Sequence, residues 1–228
     1  MSAATRPRWQ VVAALSAVAA LVGFAVVTAA IYGHGPLLSV DVAVESRFAS
    51  HRQHWLVSVF TVWTTTASFI VAAPALLVFS AAVARVERSW RPLMLGVVAV
   101  GVLGVCVVTG KQVIGRSRVP FAADTFGDGG TSYPSGHTTT AVVVAGVVLL
   151  LLDRRLTVTA RRWALVAVAG YAAVTGASRI YLRQHWFSDV LAGWLLGTAI
   201  VCVLAIAWSS PVLARRGANR RSDSDPGL

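Results

Sequence analysis

Residues 92–110 read PLMLGVVAVGVLGVCVVTG, a stretch without Asp, Glu, Lys or Arg that is bounded by Arg91 and Lys111. An α-helix needs about 20 mostly apolar residues to cross a hydrocarbon core roughly 30 Å thick. Outward from this stretch, five more charge-free runs cover 9–40, 53–84, 129–152, 163–178 and 190–214. Of the 228 residues, 56% are hydrophobic and 13% charged, at a mean hydropathy of +0.70. Those are too few polar side chains to cover a water-soluble globule of this size. The expected fold is all-α: a polytopic membrane protein whose six-transmembrane-helix bundle fills 9–213, with both termini on the inner side.

The flanking pieces are a cytoplasmic segment, 1–8, and a tail, 214–228, whose Arg, Ser, Asp and Gly content predicts disorder. The first apolar run exceeds the 7–15 residues of a signal-peptide core, so it is expected to be a retained helix, over about 11–32. The second is expected to kink at Pro74, and the third to run from about 93 to 109. Cys106 and Cys202 both fall inside apolar runs, where thiols act as small hydrophobes, so no disulfide and no structural metal is expected.

The net charge of +11 invites a nucleic-acid reading until its distribution is considered. Arg6, Arg8, Arg85, Arg88, Arg91, Arg154, Arg155, Arg161, Arg162 and the four arginines of the tail all fall on the inner side, as the positive-inside rule expects. No nucleic-acid partner is therefore needed. The remaining cations, Arg47, Arg52, Lys111, Arg116, Arg118, Arg179 and Arg183, lie on the outer side, and five of them crowd into two short segments. Cations that break the topological rule on one face call for an anion there.

Three outward-facing pieces carry chemistry. Lys111, Arg116 and Arg118 stand at the outer end of the third helix, at the start of a long outer loop, 110–133. Arginine offers a planar fork to two phosphate oxygens and lysine a point charge. Pro134-Ser135-Gly136-His137 precedes an apolar run, so it marks a helix start whose free N–H groups and positive dipole end make an anion cradle. Gly136 allows close approach there, and His137 stands where it can give a proton to a departing oxygen. In the third piece, His185 in the first turn of the last helix puts Asp189 four residues on, able to accept the Nδ1 proton and leave Nε2 as a nucleophile. Gly193 and Gly197 continue that stripe and predict close packing into the bundle. The fifth run, 163–178, would make only about 24 Å of helix and so hold Arg179 near the membrane surface. Together these residues suit phosphoryl transfer, where positioning and charge stabilisation dominate.

In chain order, Lys111-x6-Arg118, Pro134-Ser135-Gly136-His137 and Ser178-Arg179-x5-His185-x3-Asp189 resemble the three signatures of the type 2 phosphatidic acid phosphatase family, shared by vanadium haloperoxidases. The second and third match in full. In the first, Val119 stands between Arg118 and Pro120, where the family has proline directly after the arginine. The resemblance implies that Lys111, Arg118 and Arg179 bind phosphoryl oxygens, with Ser135 and the Gly136 backbone completing the cradle. It implies that His185 attacks phosphorus and becomes a phosphohistidine, that Asp189 orients it, and that His137 protonates the leaving group and then activates water. No metal or cofactor is implied. Arg116 lies outside the pattern, and its charge alone suggests a further phosphate contact.

A site at the outer membrane–water boundary of the plasma membrane suits a phosphorylated lipid whose tail stays among membrane lipids. A polyprenyl diphosphate such as undecaprenyl diphosphate and a glycerophospholipid monophosphate, phosphatidate or phosphatidylglycerophosphate, remain open as substrates. A phosphotransferase passing the phosphoryl group to another lipid, and a transporter using the same ionisable residues, are the alternatives. The segment 33–55 holds Leu37, Val40, Val44 and Phe48 at helical spacing opposite Asp41, Glu45 and Arg47, which predicts an interfacial helix, either spacer or lid. His34, His51 and His54 are read as solvated loop histidines.

Overall fold

The computed structural model describes residues 8–33, 35–119 and 130–209. Its helices are α1 (Arg8–Tyr32), α2 (Leu37–Ala49), α3 (His54–Thr65), α4 (Phe69–Glu87), α5 (Arg91–Ile114), α6 (Gly136–Leu152), α7 (Val158–Tyr181) and α8 (Phe187–Trp208), with a 3₁₀ turn at Asp153–Arg155. Among the described residues there is no strand. The segment 1–7, His34, Pro120 with the middle of the 110–133 loop, and the tail 214–228 lie outside the described residues.

Five helices, α1, α4, α5, α7 and α8, are long and apolar enough to cross a membrane. At 17 residues, α6 is shorter, about 25 Å. It is also the centre of the bundle, touching α4, α5, α7 and α8, while α1 packs along α8. Val143 and Val147 of α6 are fully buried against Leu76, Leu103 and Ile200. Outward-facing apolar side chains such as Leu15, Ile70, Val78 and Val105 are left bare, an apolar surface of the kind that faces lipid rather than water.

Two expectations about the spans are corrected. The run 53–84 is not one helix but two, α3 and α4, broken at 66–68 while α4 continues through Pro74. The hydroxyls of Thr65 and Thr66 donate to the carbonyls of Thr61 and Trp63, and Ser68 is extended, at φ −66° and ψ 141°. Local side-chain bonds of this kind compete with the helical ladder. The fifth helix is not short either: α7 has 24 residues, about 36 Å, because it runs on through Arg161, Arg162 and Arg179. Counting charge-free residues ended the helix where the charges began, but a helix keeps going wherever a charged side chain finds a buried partner or a watery end. The shortness that was assigned to α7 belongs to α6.

Helix ends aim the chain at one end of the bundle. Pro92 opens α5 near its first position, where its missing N–H costs nothing. Gly115 closes it in the left-handed conformation, φ 61°, a conformation open to glycine at little cost, and from there residues 116–119 turn across the mouth of the bundle. Gly193 and Gly197 do lie against α6, as their spacing suggested. A Cβ on Gly193 would sit 2.9 Å from the Ser135 carbonyl oxygen and 3.0 Å from Thr138 Cβ. Gly193→Ala is therefore expected to cost about 1–3 kcal/mol by overpacking and to displace the start of α6. Thermal inactivation in detergent should show the loss, against Gly170→Ala as control, a site with nothing within 4 Å. A Gly193→Ala protein as stable and active as the parent would mean this contact does not fix α6.

Candidate active site

The converging ends are the C-termini of α5 and α7 and the N-termini of α6 and α8. They enclose a cavity of about 300 Å³ lined by Lys111, Arg118, Gly136, His137, Arg179 and His185 on its polar part, and by Phe69, Gly104, Val107 and Val108 on its apolar part. Lys111 stands in the last turn of α5, its Nζ donating to the Thr131 carbonyl at 2.7 Å. Arg118 is braced from both sides, Nε donating to the Gly130 carbonyl at 3.1 Å and an Nη to the Gln184 carbonyl at 3.0 Å. Arg179 is almost fully buried in the last turn of α7, with an Nη 3.4 Å from the Thr64 hydroxyl. The break between α3 and α4, at 66–68, begins two residues after Thr64, near this arginine.

Ser135 is the N-cap of α6, extended at φ −68° and ψ 109°. Its backbone N–H donates to the Asp189 carbonyl at 3.0 Å, which ties the start of α6 to the first turn of α8. Its hydroxyl is bonded to that of Thr138 at 2.9 Å instead of to the N–H groups of the first turn. Those N–H groups have no intrahelical acceptors and are of the kind that can bind an anion at a helix start. Gly136 and His137 are the first residues of that turn and line the cavity.

His185 precedes α8 instead of standing in its first turn. The chain leaves α7 through Arg183, which has φ 57°, and Trp186 caps α8. Asp189, fully buried, is three residues past the cap, where its Oδ2 accepts the Trp186 N–H at 3.0 Å and meets His185 Nδ1 at 3.4 Å. The carboxylate therefore meets the histidine across the helix N-terminus rather than along a helix face. Burial pulls the His185 ring below the ordinary imidazole range to about 4, against the bond to Asp189 and helped by the charge of Arg179. In the substrate-free protein the ring is a neutral base at neutral pH.

Arg116 is placed elsewhere than its charge suggested, and Arg183, whose role the sequence left open, finds a partner within the protein. Arg116 does not line the cavity. One Nη donates to Asp189 Oδ1 and to the Ser188 hydroxyl, both at 2.6 Å, and the other to Asp41 Oδ2 at 2.7 Å. Arg183 pairs with Glu45 at 2.5 Å. The anions that justify these two cations belong to the protein.

Asp41 and Glu45 are residues that sequence reasoning missed. They were read as the polar, water-facing side of an interfacial helix. In the structure, α2 turns Asp41 and Glu45 inward together with Leu37, Val44 and Phe48, and leaves Val40 and Val42 exposed. Asp41 is 1% exposed and accepts both the backbone N–H of Ser188, at 2.8 Å, and its hydroxyl, at 2.6 Å. The available signal was acidic spacing of four residues beside a surplus of cations. His51 closes α2, its Nδ1 3.0 Å from the Arg47 carbonyl.

Comparison with known proteins gives the family and the fold. The sequence model of a family described as the PAP2 superfamily matches residues 91–211. Phosphatidylglycerophosphatase B of Bacillus subtilis (strain 168) is 30% identical over 176 residues, which cover 76% of this chain and 85% of that protein. An undecaprenyl-diphosphatase of Sulfolobus acidocaldarius is 42% identical over 69 residues, 30% of each. The crystal structure of a transmembrane PAP2 type phosphatidylglycerolphosphate phosphatase from Bacillus subtilis superposes with a TM-score of 0.76 at 26% identity, over 83% of this chain and 94% of that one.

Proposed function

Since this chain belongs to the PAP2 superfamily, the type 2 phosphatidic acid phosphatases, we propose that it hydrolyses a lipid phosphomonoester or diphosphate through a phosphohistidine at His185. The observation that carries this is one cavity wall holding His185, His137, three cations and the start of α6, next to an apolar wall from α4 and α5. With Nδ1 committed to Asp189, Nε2 is the nitrogen left to attack phosphorus. Charge that spreads over the phosphoryl oxygens meets Lys111, Arg118, Arg179 and the first N–H groups of α6. His137 gives its proton to the leaving oxygen, the P–O bond breaks, and phosphate stays on Nε2. Water then gives a proton back to His137 and attacks phosphorus, releasing inorganic phosphate and free His185.

The apolar wall of Phe69, Val107 and Val108 would take the first part of a lipid chain. Six crossings are proposed: α1, α3 with α4, α5, α6, α7 and α8. Gln53 N–H on the Tyr181 hydroxyl and Trp63 Nε1 on Thr175 show α3 descending beside α7 from the cavity end. At the far end Arg155 pairs with Glu87 and Arg161 with Asp153, in company with Arg85, Arg88 and Arg91. That arginine-rich end fits the cytoplasmic side of the plasma membrane, which supports a cavity, and a substrate head group, on the outer side.

The test is phosphate release by the purified protein from phosphatidylglycerophosphate, phosphatidate and a polyprenyl diphosphate in detergent, with and without EDTA. Release from at least one of them, undiminished by EDTA, is expected. Loss restored by a divalent ion, or transfer of label to an added lipid alcohol without free phosphate, would overturn the hydrolytic, metal-free reading.

A further inference from the structure

Asp41, Arg116, Asp189 and His185 come from α2, from the segment after α5, from α8 and from the turn before it, yet they form one line of charge. Asp41 Oδ2 and Asp189 Oδ1 are held by the two ends of the same guanidinium, at 2.7 and 2.6 Å, and Asp189 Oδ2 meets His185 Nδ1. Both carboxylates are buried, at 1% and 0% side-chain exposure, and Arg116 is at 11%. The Ser188 hydroxyl accepts from Arg116 and donates to Asp41, which closes the ring of bonds. The guanidinium also lies over the Trp186 ring, 5.5 Å from its centroid, and the Arg116 carbonyl accepts the Ser132 N–H, at 2.8 Å, three residues before the start of the α6 cradle. A buried carboxylate without a partner would be expensive, and one planar fork serving two carboxylates sets the direction in which each oxygen faces.

From this geometry we infer that Arg116 and Asp41 are positioning residues for the nucleophile: Arg116 fixes the Asp189 carboxylate and takes up part of its charge, and Asp41 sets how much. The inference rests on the reading of His185 as nucleophile. It also gives α2 a task, that of carrying Asp41 to the last helix. Arg116 removes some of the pull that Asp189 exerts on the imidazolium, and Asp41 in turn removes some of the pull that Arg116 exerts on Asp189. The other charged or titratable groups around His185 and Asp189 are Arg179 from α7, Arg118 from the segment after α5, Tyr133 from the loop before α6, and, in the same cavity, His137 from α6 and Lys111 from α5. None of them changes in the variants below.

The two substitutions should therefore act in opposite directions. In Arg116→Gln the carboxylate holds a proton on His185 more strongly, and in Asp41→Asn less strongly. The experiment follows carbethoxylation of His185 by diethylpyrocarbonate, which attacks the unprotonated ring, against pH in the full-length, substrate-free protein, with the modified peptide located by mass spectrometry. The midpoint is expected to rise by about half to one pH unit in Arg116→Gln and to fall by a similar amount in Asp41→Asn. The kcat is expected to fall about 10–100-fold in both, with KM nearly unchanged, and Arg116→Lys should bring the midpoint back toward the parent. If Arg116→Gln does not fold, Asp41→Asn and Arg116→Lys, which keep shape or charge, carry the test. Midpoints that stay put, or that move the same way in Arg116→Gln and Asp41→Asn, overturn the inference. His185→Ala separates the two readings: an active His185→Ala protein refutes the nucleophile, whereas an inactive one beside unmoved midpoints refutes only the positioning roles.

Discussion

His185→Ala is expected to reduce phosphate release by on the order of 10⁴-fold or more, the scale on which covalent catalysis fails when its nucleophile is removed. The size of the effect follows from the division of labour in the cavity. On the proposed reading Lys111, Arg118, Arg179 and the start of α6 still bind the phosphoryl group, so substrate affinity should fall far less than turnover. What disappears is the route that splits one displacement into two, each run on a prepositioned nitrogen. Acid-labile, base-stable label on the protein after a brief exposure to ³²P-lipid should appear in the parent and vanish in the variant. Label that persists in His185→Ala would assign the covalent step to another residue, and activity that persists without any label would replace the covalent route with direct attack by water. Alanine also frees the Asp189 carboxylate from its contact at Nδ1. Retained helix content and a parent-like thermal midpoint must therefore accompany the loss.

The polar part of this cavity was legible because its chemistry depends on residue type and spacing. Lys111, Arg118, His137, Arg179 and His185 stand out in a chain with 13% charged positions, and each lies at the edge of an apolar run, where helix ends must be. What the sequence could not show was pairing. Arg116 and Arg118 look equivalent in Lys111-Gln-Val-Ile-Gly-Arg116-Ser-Arg118, yet the backbone beyond Gly115 turns one toward Asp41 and Asp189 and the other into the cavity. Regular alternation would put residues two apart on the same side, so the bend of the segment decides it, and that bend is not written in the residue types.

Helix lengths failed for a related reason. A charged residue ends an apolar run but need not end a helix, so the run 163–178 makes too short a helix on paper, one that would hold Arg179 near the membrane surface. In the structure Arg179 is buried because α7 carries it past the broken α3–α4 junction and beside Thr64. The short helix is α6, and its first turn is what faces the cavity. If α6 crosses the membrane as proposed, about 25 Å of helix against a core of roughly 30 Å would start it below the membrane surface. An amphiphile could then present its phosphate there without leaving the bilayer. The inward face of α2 was misread because the apolar residues at 37, 44 and 48 and the acids at 41 and 45 share one side of the helix, and buried arginines were not counted as partners for acids.

His137→Ala should slow hydrolysis of a lipid phosphate by about 10²–10⁴-fold, the usual worth of a positioned acid–base group, and the loss should depend on the leaving group in a way that identifies its role. An alkoxide leaves poorly unless it is protonated as the P–O bond breaks, so the first step is slowed severely for a glycerolipid phosphate. A nitrophenolate departs without a proton, and with nitrophenyl phosphate the first step should be nearly spared. The second step cannot be spared, because water still needs a base as it attacks the phosphohistidine. The variant should therefore release a burst of nitrophenolate equal to the enzyme present, followed by slow turnover, with phosphate label building up on His185. For the parent enzyme the same assay should be linear from the start. A uniform loss for both leaving groups without a burst would mean that His137 serves to bind the phosphoryl group, and an undiminished rate for the lipid would assign proton transfer elsewhere. Position favours the proton-transfer role: His137 stands in the first turn of α6, next to Gly136, and lines the same cavity as His185, where an oxygen departing from phosphorus needs its proton.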